Sequence, residues 1–190
     1  MAHISILGTG TMAQAIAAVA GRGGHTVTFV GKDDADVRFG DVVVLAVPHS
    51  ALGDIVSRHG SELAGRIVVD ITNPLDFETF DSLTVPADGS AAAELAAALP
   101  QSHVLKAFNT NFAGTLASGT VGELTTTVLI AGDDADAKAT LAGIVTSGGL
   151  KAIDAGTLRR ARELEALGFL QITLAATEKI SWTGGFGVVA

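Results

Sequence analysis

The sequence has no cysteine among its 190 residues. That absence excludes a disulfide framework, a thiolate nucleophile, an iron–sulfur cluster and a cysteine zinc site, so redox chemistry has to come from a bound organic cofactor. Tyrosine is also missing, tryptophan occurs once and aromatics make up 5% of the chain, yet 48% of the residues are hydrophobic. Ala, Val, Leu and Ile carry that content, a balance that suits buried parallel strands under alanine-rich helices. Cations are scarce: 12 Lys and Arg stand against 20 Asp and Glu, a net charge of −8. Neutralising phosphates needs clustered Lys and Arg, which argues against nucleic acid as a partner and means that an anionic ligand must be met by a local basic pocket. The five histidines (His3, His25, His49, His59 and His103) never fall at i, i+4, so no helix face offers a metal two ligands. No apolar run approaches the roughly 18 to 20 residues needed to cross a bilayer, and strand-like sequence begins within a few residues of Met1. These features predict a cytoplasmic chain with no membrane partner.

Short apolar runs alternate with alanine-rich stretches, the pattern of βα units around a parallel sheet. The runs predict strands near 2–7, 26–30, 41–47, 67–71, 103–108, 126–131 and 150–154. Helices are expected near 11–22, 49–59, 90–99, 134–147 and 157–179. The fold class is therefore α/β, a Rossmann-type, doubly wound and mostly parallel sheet. Residues 1–155 are read as the nucleotide-binding domain and 156–190 as a small helical segment with a tail.

The most specific local feature is "ISILGTGTMAQAIAAVA", a strand that runs through Gly8, Thr9, Gly10, Thr11, Met12 and Ala13 straight into a helix. This is the G-x-G-x-x-G/A dinucleotide fingerprint in its proper setting. Gly8 permits the tight turn, Gly10 lets backbone approach a pyrophosphate, and Ala13 allows helix and strand to pack closely while the helix amides face the anion. NAD binders place an acid at the end of the second strand, where it holds the ribose 2′-hydroxyl and repels a 2′-phosphate. Here that place reads Val30, Gly31, Lys32. A cation there favours NADP(H), with Lys32 as the phosphate partner and Thr9 as a second donor. Asp33 and Asp34 follow at once, and were the strand two residues longer Asp33 would be a ribose acid. The interval "GKDDADVRFG" then separates two strand-like runs by only ten residues. A crossover needs at least about 10–12 residues, so a loop is expected and the sheet should lack one strand on that side.

The fingerprint, "FVGKD", "VVDITNPLD", "VLKAFNTNFAGTL" and "LIAGDDADAKATL", read in order, resemble the NADPH-dependent coenzyme F420 reductase-like dinucleotide-binding proteins, a family that also includes the cytosolic domains of transmembrane ferric reductases. The final "DAGTLRRARELEALGFLQITLA" is similar too, so the resemblance covers nearly the whole chain. It implies a dimer that passes hydride between NADP(H) and a deazaflavin (coenzyme F420) or flavin-type acceptor. Relatives have a longer interval where "GKDDADVRFG" stands, with a helix and a strand beside the adenosine half of the cofactor.

In such sheets ligands sit beyond the carboxyl ends of the strands. That rule selects Val47, Pro48 and His49 after one strand, Thr72, Asn73 and Pro74 after the next, and Asn109 after a third. Pro48 and Pro74 fix the backbone at strand ends, while Asn73 and Asn109 are candidate partners for a nicotinamide carboxamide. Hydride transfer between two ring cofactors needs positioning more than acid–base help, so no catalytic dyad is expected and His49 is not assigned as an acid. A deazaflavin with a phosphate and glutamates would need cations; Lys106, Arg159, Arg160 and Arg162 are the candidates, and Arg162 matches the arginine of the family motif. Trp182 and Phe186 supply aromatic surface, either as a wall of a second-substrate site or as a dimer contact. The alternative reading is a non-catalytic NADP(H)-binding redox sensor or interaction module.

Overall fold

The computed structural model describes residues 1–32, 34 and 37–189. Its first half contains β1 (His3–Leu7), α1 (Thr11–Arg22), β2 (Thr26–Val30), β3 (Val42–Leu45), α2 (Leu52–His59), β4 (Ile67–Asp70) and α3 (Ala91–Ala98). The second half contains β5 (His103–Lys106), α4 (Ala113–Ser118), β6 (Thr120–Val121), β7 (Leu124–Thr125), β8 (Thr127–Gly132), α5 (Ala135–Ser147), β9 (Lys151–Gly156) and α6 (Ala161–Ala176). Seven strands form one sheet in the order β2-β1-β3-β4-β5-β8-β9, and β6 pairs with β7 in a separate hairpin. The first five strands of that order run parallel, and only the β5–β8 pair is antiparallel.

The central strands are apolar on both faces because both faces are covered. Val42 and Val44 of β3 join Ile4, Ile6 and Val69 in a core that also takes Ile16 of α1 and Leu141 of α5. The alternate residues Val43 and Leu45 pack on the other side with Val68, Leu52 and Leu95. This period of two is what a doubly covered strand requires, and each such side chain contributes roughly 1.5–3 kcal/mol of burial. A one-residue slip would exchange the two faces.

The short interval after β2 forms no strand among the described residues, and β2 remains the edge of the sheet. The ten residues nevertheless carry their own anchor. Phe39 is buried with the β3 and α2 side of the core, and its ring meets His59 edge-on at 5.3 Å. The Gly40 amide donates to the buried Ser5 hydroxyl at 2.9 Å, and Arg66 donates to the Gly40 carbonyl at 2.6 Å. The alternative ribose acid, Asp33, lies outside the described residues.

The structure departs from the sequence expectations at the helix ends and between β5 and β8. The expected 49–59 helix opens with a 3-10 turn, His49–Ala51, because Pro48 supplies an extended N-terminal residue and its carbonyl accepts the Ala51 amide. The last helix stops at Ala176 rather than 179, since Glu178 adopts φ 58 and the Lys179 and Ile180 amides turn back to the Leu174 carbonyl. Helix α4 and the β6–β7 hairpin were not expected at all. Among the described residues, no helix is long and apolar enough to cross a membrane.

Candidate functional site

Consecutive strands β1 and β2 lie side by side, whereas the chain returns to place β3 on the opposite flank of β1. That reversal is a topological switch point, where loops diverge and leave a crevice. A cleft of about 510 Å³ opens there, lined by Gly8 and Thr9 after β1, Gly31 and Lys32 after β2, and Val47 and Pro48 after β3. Gly8 has φ +104, and a Cβ on it would collide with the Ala46 carbonyl oxygen. The turn therefore needs glycine here. Above Gly10 the situation is the reverse, with nothing within 4 Å of where its Cβ would be. Gly10 caps α1 without any side-chain hydrogen bond, and the first turn of α1 carries no acid. The first amides of α1 thus present unfilled donors and a positive dipole end to open space, the requirement for holding a pyrophosphate. Thr11 is exposed beside this opening, Met12 half-buried, and Ala13 fully buried under the helix.

At the far end of the cleft stand two cations. Lys32 is exposed, and its carbonyl accepts a 2.7 Å hydrogen bond from Arg58 Nη1 of α2. Both residues line the cleft, together with Val30, Ile55 and His59. Asp34 turns its carboxylate to the Gly31 amide at 2.7 Å and does not line the cleft. Arg58, Ile55 and His59 were missed from sequence. Their i, i+3, i+4 spacing on a helix after β3 was visible, but nothing local showed which way that face would turn.

The other expected cofactor residues are not in this cleft. His49 turns into a separate hollow between α2 and α3, with Leu52 and Glu94. Thr72, Pro74 and Asn109 are buried, and Asn73 is half-buried. The two asparagines serve each other. Asn73 Nδ2 donates to the Asn109 carbonyl at 3.0 Å, while Asn109 Nδ2 donates to Asn73 Oδ1 at 3.0 Å and to the Leu164 carbonyl at 2.8 Å. A Cβ on Gly168 would strike Asn73 Oδ1 and come within 2.9 Å of the Asn109 carbonyl oxygen, so α6 sits directly on this pair. Phe108, just before Asn109, is buried with φ 63, a conformation that costs about 1–3 kcal/mol and persists only where surroundings impose it.

Lys106 requires the largest correction. Expected to meet an anionic tail, it is instead completely buried between Asp70 and Glu165, with 2.8 Å to a carboxylate oxygen of each and 2.6 Å to the Thr72 carbonyl. Glu165 also accepts the Ala91 and Ala92 amides at 2.9 and 3.3 Å, which ties α6 to the start of α3. The strand end that carries Lys106 is legible in the sequence, while its two partners, distant in sequence, are not. Arg162 is exposed, 3.6 Å from Glu163, and borders a hollow of about 570 Å³ between α6 and residues 81–89. Trp182 packs on Phe112 with ring centres 4.9 Å apart, and the Phe186 amide donates to Gln171 Oε1 at 3.1 Å. The expected second-substrate residues thus occupy three different places. Three carboxylates titrate below the ordinary range: Asp76 through the Glu78 amide, Asp134 through the Ala137 amide, and Asp154 through the Lys138 ammonium. None of the three lines the cleft.

No protein-family model matches the chain. A curated relative, the F420-dependent NADP reductase of Methanocaldococcus jannaschii, is 31% identical over 166 residues, which cover 85% of this chain and 74% of that protein. The chain belongs to the F420-dependent NADP reductase family. A second relative, metalloreductase STEAP3 of Rattus norvegicus, is 34% identical over 127 residues; the match takes in 67% of this chain and only 25% of that protein. Among solved structures, a candidate F420-dependent NADP reductase from Arthrobacter sp. FB24 superposes with a TM-score of 0.84 at 25% identity and covers all of both chains. In this member of the F420-dependent NADP reductase family, Gly8 and Thr9 of the turn before α1, Lys32 after β2 and Arg58 of α2 line one cleft.

Proposed function

We propose that the protein is a cytoplasmic NADP(H)-dependent oxidoreductase that passes a hydride between NADP(H) and a deazaflavin (coenzyme F420) or flavin-type acceptor. The observation that carries this reading is the cleft at the switch point, which Gly8 and Thr9 of the turn before α1 line together with Lys32 and Arg58, and the open space over Gly10 where α1 begins. Anion donors at one end and cations at the other suit a pyrophosphate and a 2′-phosphate carried by one ligand. The bound dinucleotide would supply the hydride chemistry. The chain's own part is to hold the ring so that reacting carbons lie about 3–3.5 Å apart and to keep water away. Asn73 and Asn109, locked to each other and to α6, then act by fixing the backbone at the ends of β4 and β5. In the test, absorbance near 340 nm and 420 nm is followed with NADPH and each oxidised acceptor in turn; the expected result is loss of both bands with F420. NADPH binding without turnover on any acceptor would favour a redox sensor. The scatter of Lys106, Arg162 and Trp182 over three places is the observation on that side.

The acceptor site, in the same proposal, is completed by residues 156–190 in a homodimer. Leu170 of α6 is 50% exposed and Trp182 54% exposed, which leaves apolar surface next to the reacting end. Removing residues 180–190 should leave NADPH binding nearly intact and abolish transfer to the acceptor, and sedimentation should report a dimer of the full chain. A truncated protein with full activity would remove the tail from the site.

A further inference from the structure

With β2 at the edge of the sheet, α2 lines the cleft across from the end of β2. Ala51, Asp54, Ile55, Arg58 and His59 all line the cleft, opposite Val30 and Lys32. Two fixtures hold this face in place. Arg58 Nη1 donates to the Lys32 carbonyl at 2.7 Å, and the His59 ring is wedged against Phe39 with Nδ1 2.8 Å from Glu62 Oε2. Arg58 therefore approaches the cleft with its position set. One guanidinium N–H is used on the loop, and Asp54 stands 4.0 Å away, at the limit of an ion pair. Among the described residues, the other donors of the planar fork have no hydrogen-bond partner and suit a dianionic oxygen cluster.

We infer that Arg58 is a specificity-determining residue of this chain: together with Lys32 it receives the 2′-phosphate of the dinucleotide, so that α2 reads the group that distinguishes NADP(H) from NAD(H). The inference rests on the proposed NADP(H) reading and goes beyond it in moving half of the recognition from the β2 loop to α2. Both side chains line the same cleft, and the 2.7 Å bond from Arg58 to the Lys32 carbonyl holds α2 and the loop after β2 together there.

The test measures NADPH and NADH affinity by calorimetry for wild type, Arg58→Gln, Arg58→Lys and Lys32→Ala, with 2′,5′-ADP and 5′-AMP as competitors. Arg58→Gln should weaken NADPH and 2′,5′-ADP about ten- to a hundredfold, the range for a lost charge-assisted contact, while NADH and 5′-AMP change far less. Arg58→Lys keeps a charge without the fork and should recover part of the preference for NADPH. The double substitution Arg58→Gln, Lys32→Ala should lose less than the product of the single losses, since each cation supports the other. If wild type prefers NADPH but Arg58→Gln loses equal affinity for both dinucleotides, or none, then Arg58 merely tethers the loop and the inference fails alone. A wild type that binds neither dinucleotide, or prefers NADH, overturns the NADP(H) reading and the inference with it.

Discussion

Lys106→Met is expected to destabilise the fold by about 3–5 kcal/mol, a large part of the roughly 5–15 kcal/mol that keeps a domain folded. The ammonium has no exposure, and its three donors are accounted for by Asp70, Thr72 and Glu165 at 2.8, 2.6 and 2.8 Å. Methionine has nearly the same shape, so no large cavity opens. What changes is charge: two buried carboxylates lose the one cation between them. Asp70 keeps the Thr72 amide at 2.8 Å, and Glu165 keeps the Ala91 and Ala92 amides, but these dipoles do not replace a full charge in a medium of low dielectric. Urea unfolding checks the value. Glu165→Gln in the same background should cost less than the sum of the two single losses, because it removes one of the stranded charges. A transition midpoint equal to wild type would mean that water already reaches the triad. The triad joins β4, β5, α3 and α6 in one place, so the same substitution should also loosen α6 from the Asn73 and Asn109 pair on which Gly168 rests.

The parts of this molecule that were legible in sequence are those whose cause is local. Strand β2 and helix α1 fall on the expected residues because an apolar alternation and a glycine turn define them without help from elsewhere. The described residues of the short interval form neither helix nor strand, in keeping with ten residues being too few for both a crossover helix and a strand. Helix α4 was hidden for the opposite reason. Its six residues "AGTLAS" are too few to show a period, and Phe112 at its start offers no capping side chain. The β6–β7 hairpin has two residues in each strand and is announced only by Gly119 and Gly122, both with positive φ. In the site the same division holds. The phosphate loop is one continuous segment and could be read from its spacing. Lys106 and Asn109 could be placed at strand ends, but their burial depends on Glu165 and Leu164, which α6 brings back from the far end of the chain. Arg58 needed the fold as well, because its contact with Lys32 crosses from α2 to the loop after β2.

Gly8 and Gly10, two residues apart, should fail in opposite ways when a side chain is added. Gly10→Val is expected to abolish measurable dinucleotide binding while the protein stays folded. No atom lies within 4 Å of the added Cβ, and Gly10 has φ −71, so valine meets neither a clash nor a forbidden backbone angle. The stability cost should be about 1 kcal/mol or less, that of a poor helix N-cap. The branched side chain would nevertheless fill the space in front of the first α1 amides, where the pyrophosphate must come to within hydrogen-bond distance of backbone. Gly8→Ala reverses the pattern. Its φ of +104 is strained for any side chain, and the new Cβ would run into the Ala46 carbonyl at the end of β3. That carbonyl belongs to the loop forming the opposite lip of the cleft, so relieving the clash means parting β1 from β3. Strain of this kind costs about 1–3 kcal/mol before any collision is counted. Thermal unfolding should therefore show a clear loss for Gly8→Ala and little for Gly10→Val, and NADPH calorimetry should show no binding by Gly10→Val at protein concentrations where wild type saturates. Wild-type affinity in Gly10→Val would place the dinucleotide away from the α1 terminus, and with it the cleft would lose its assignment.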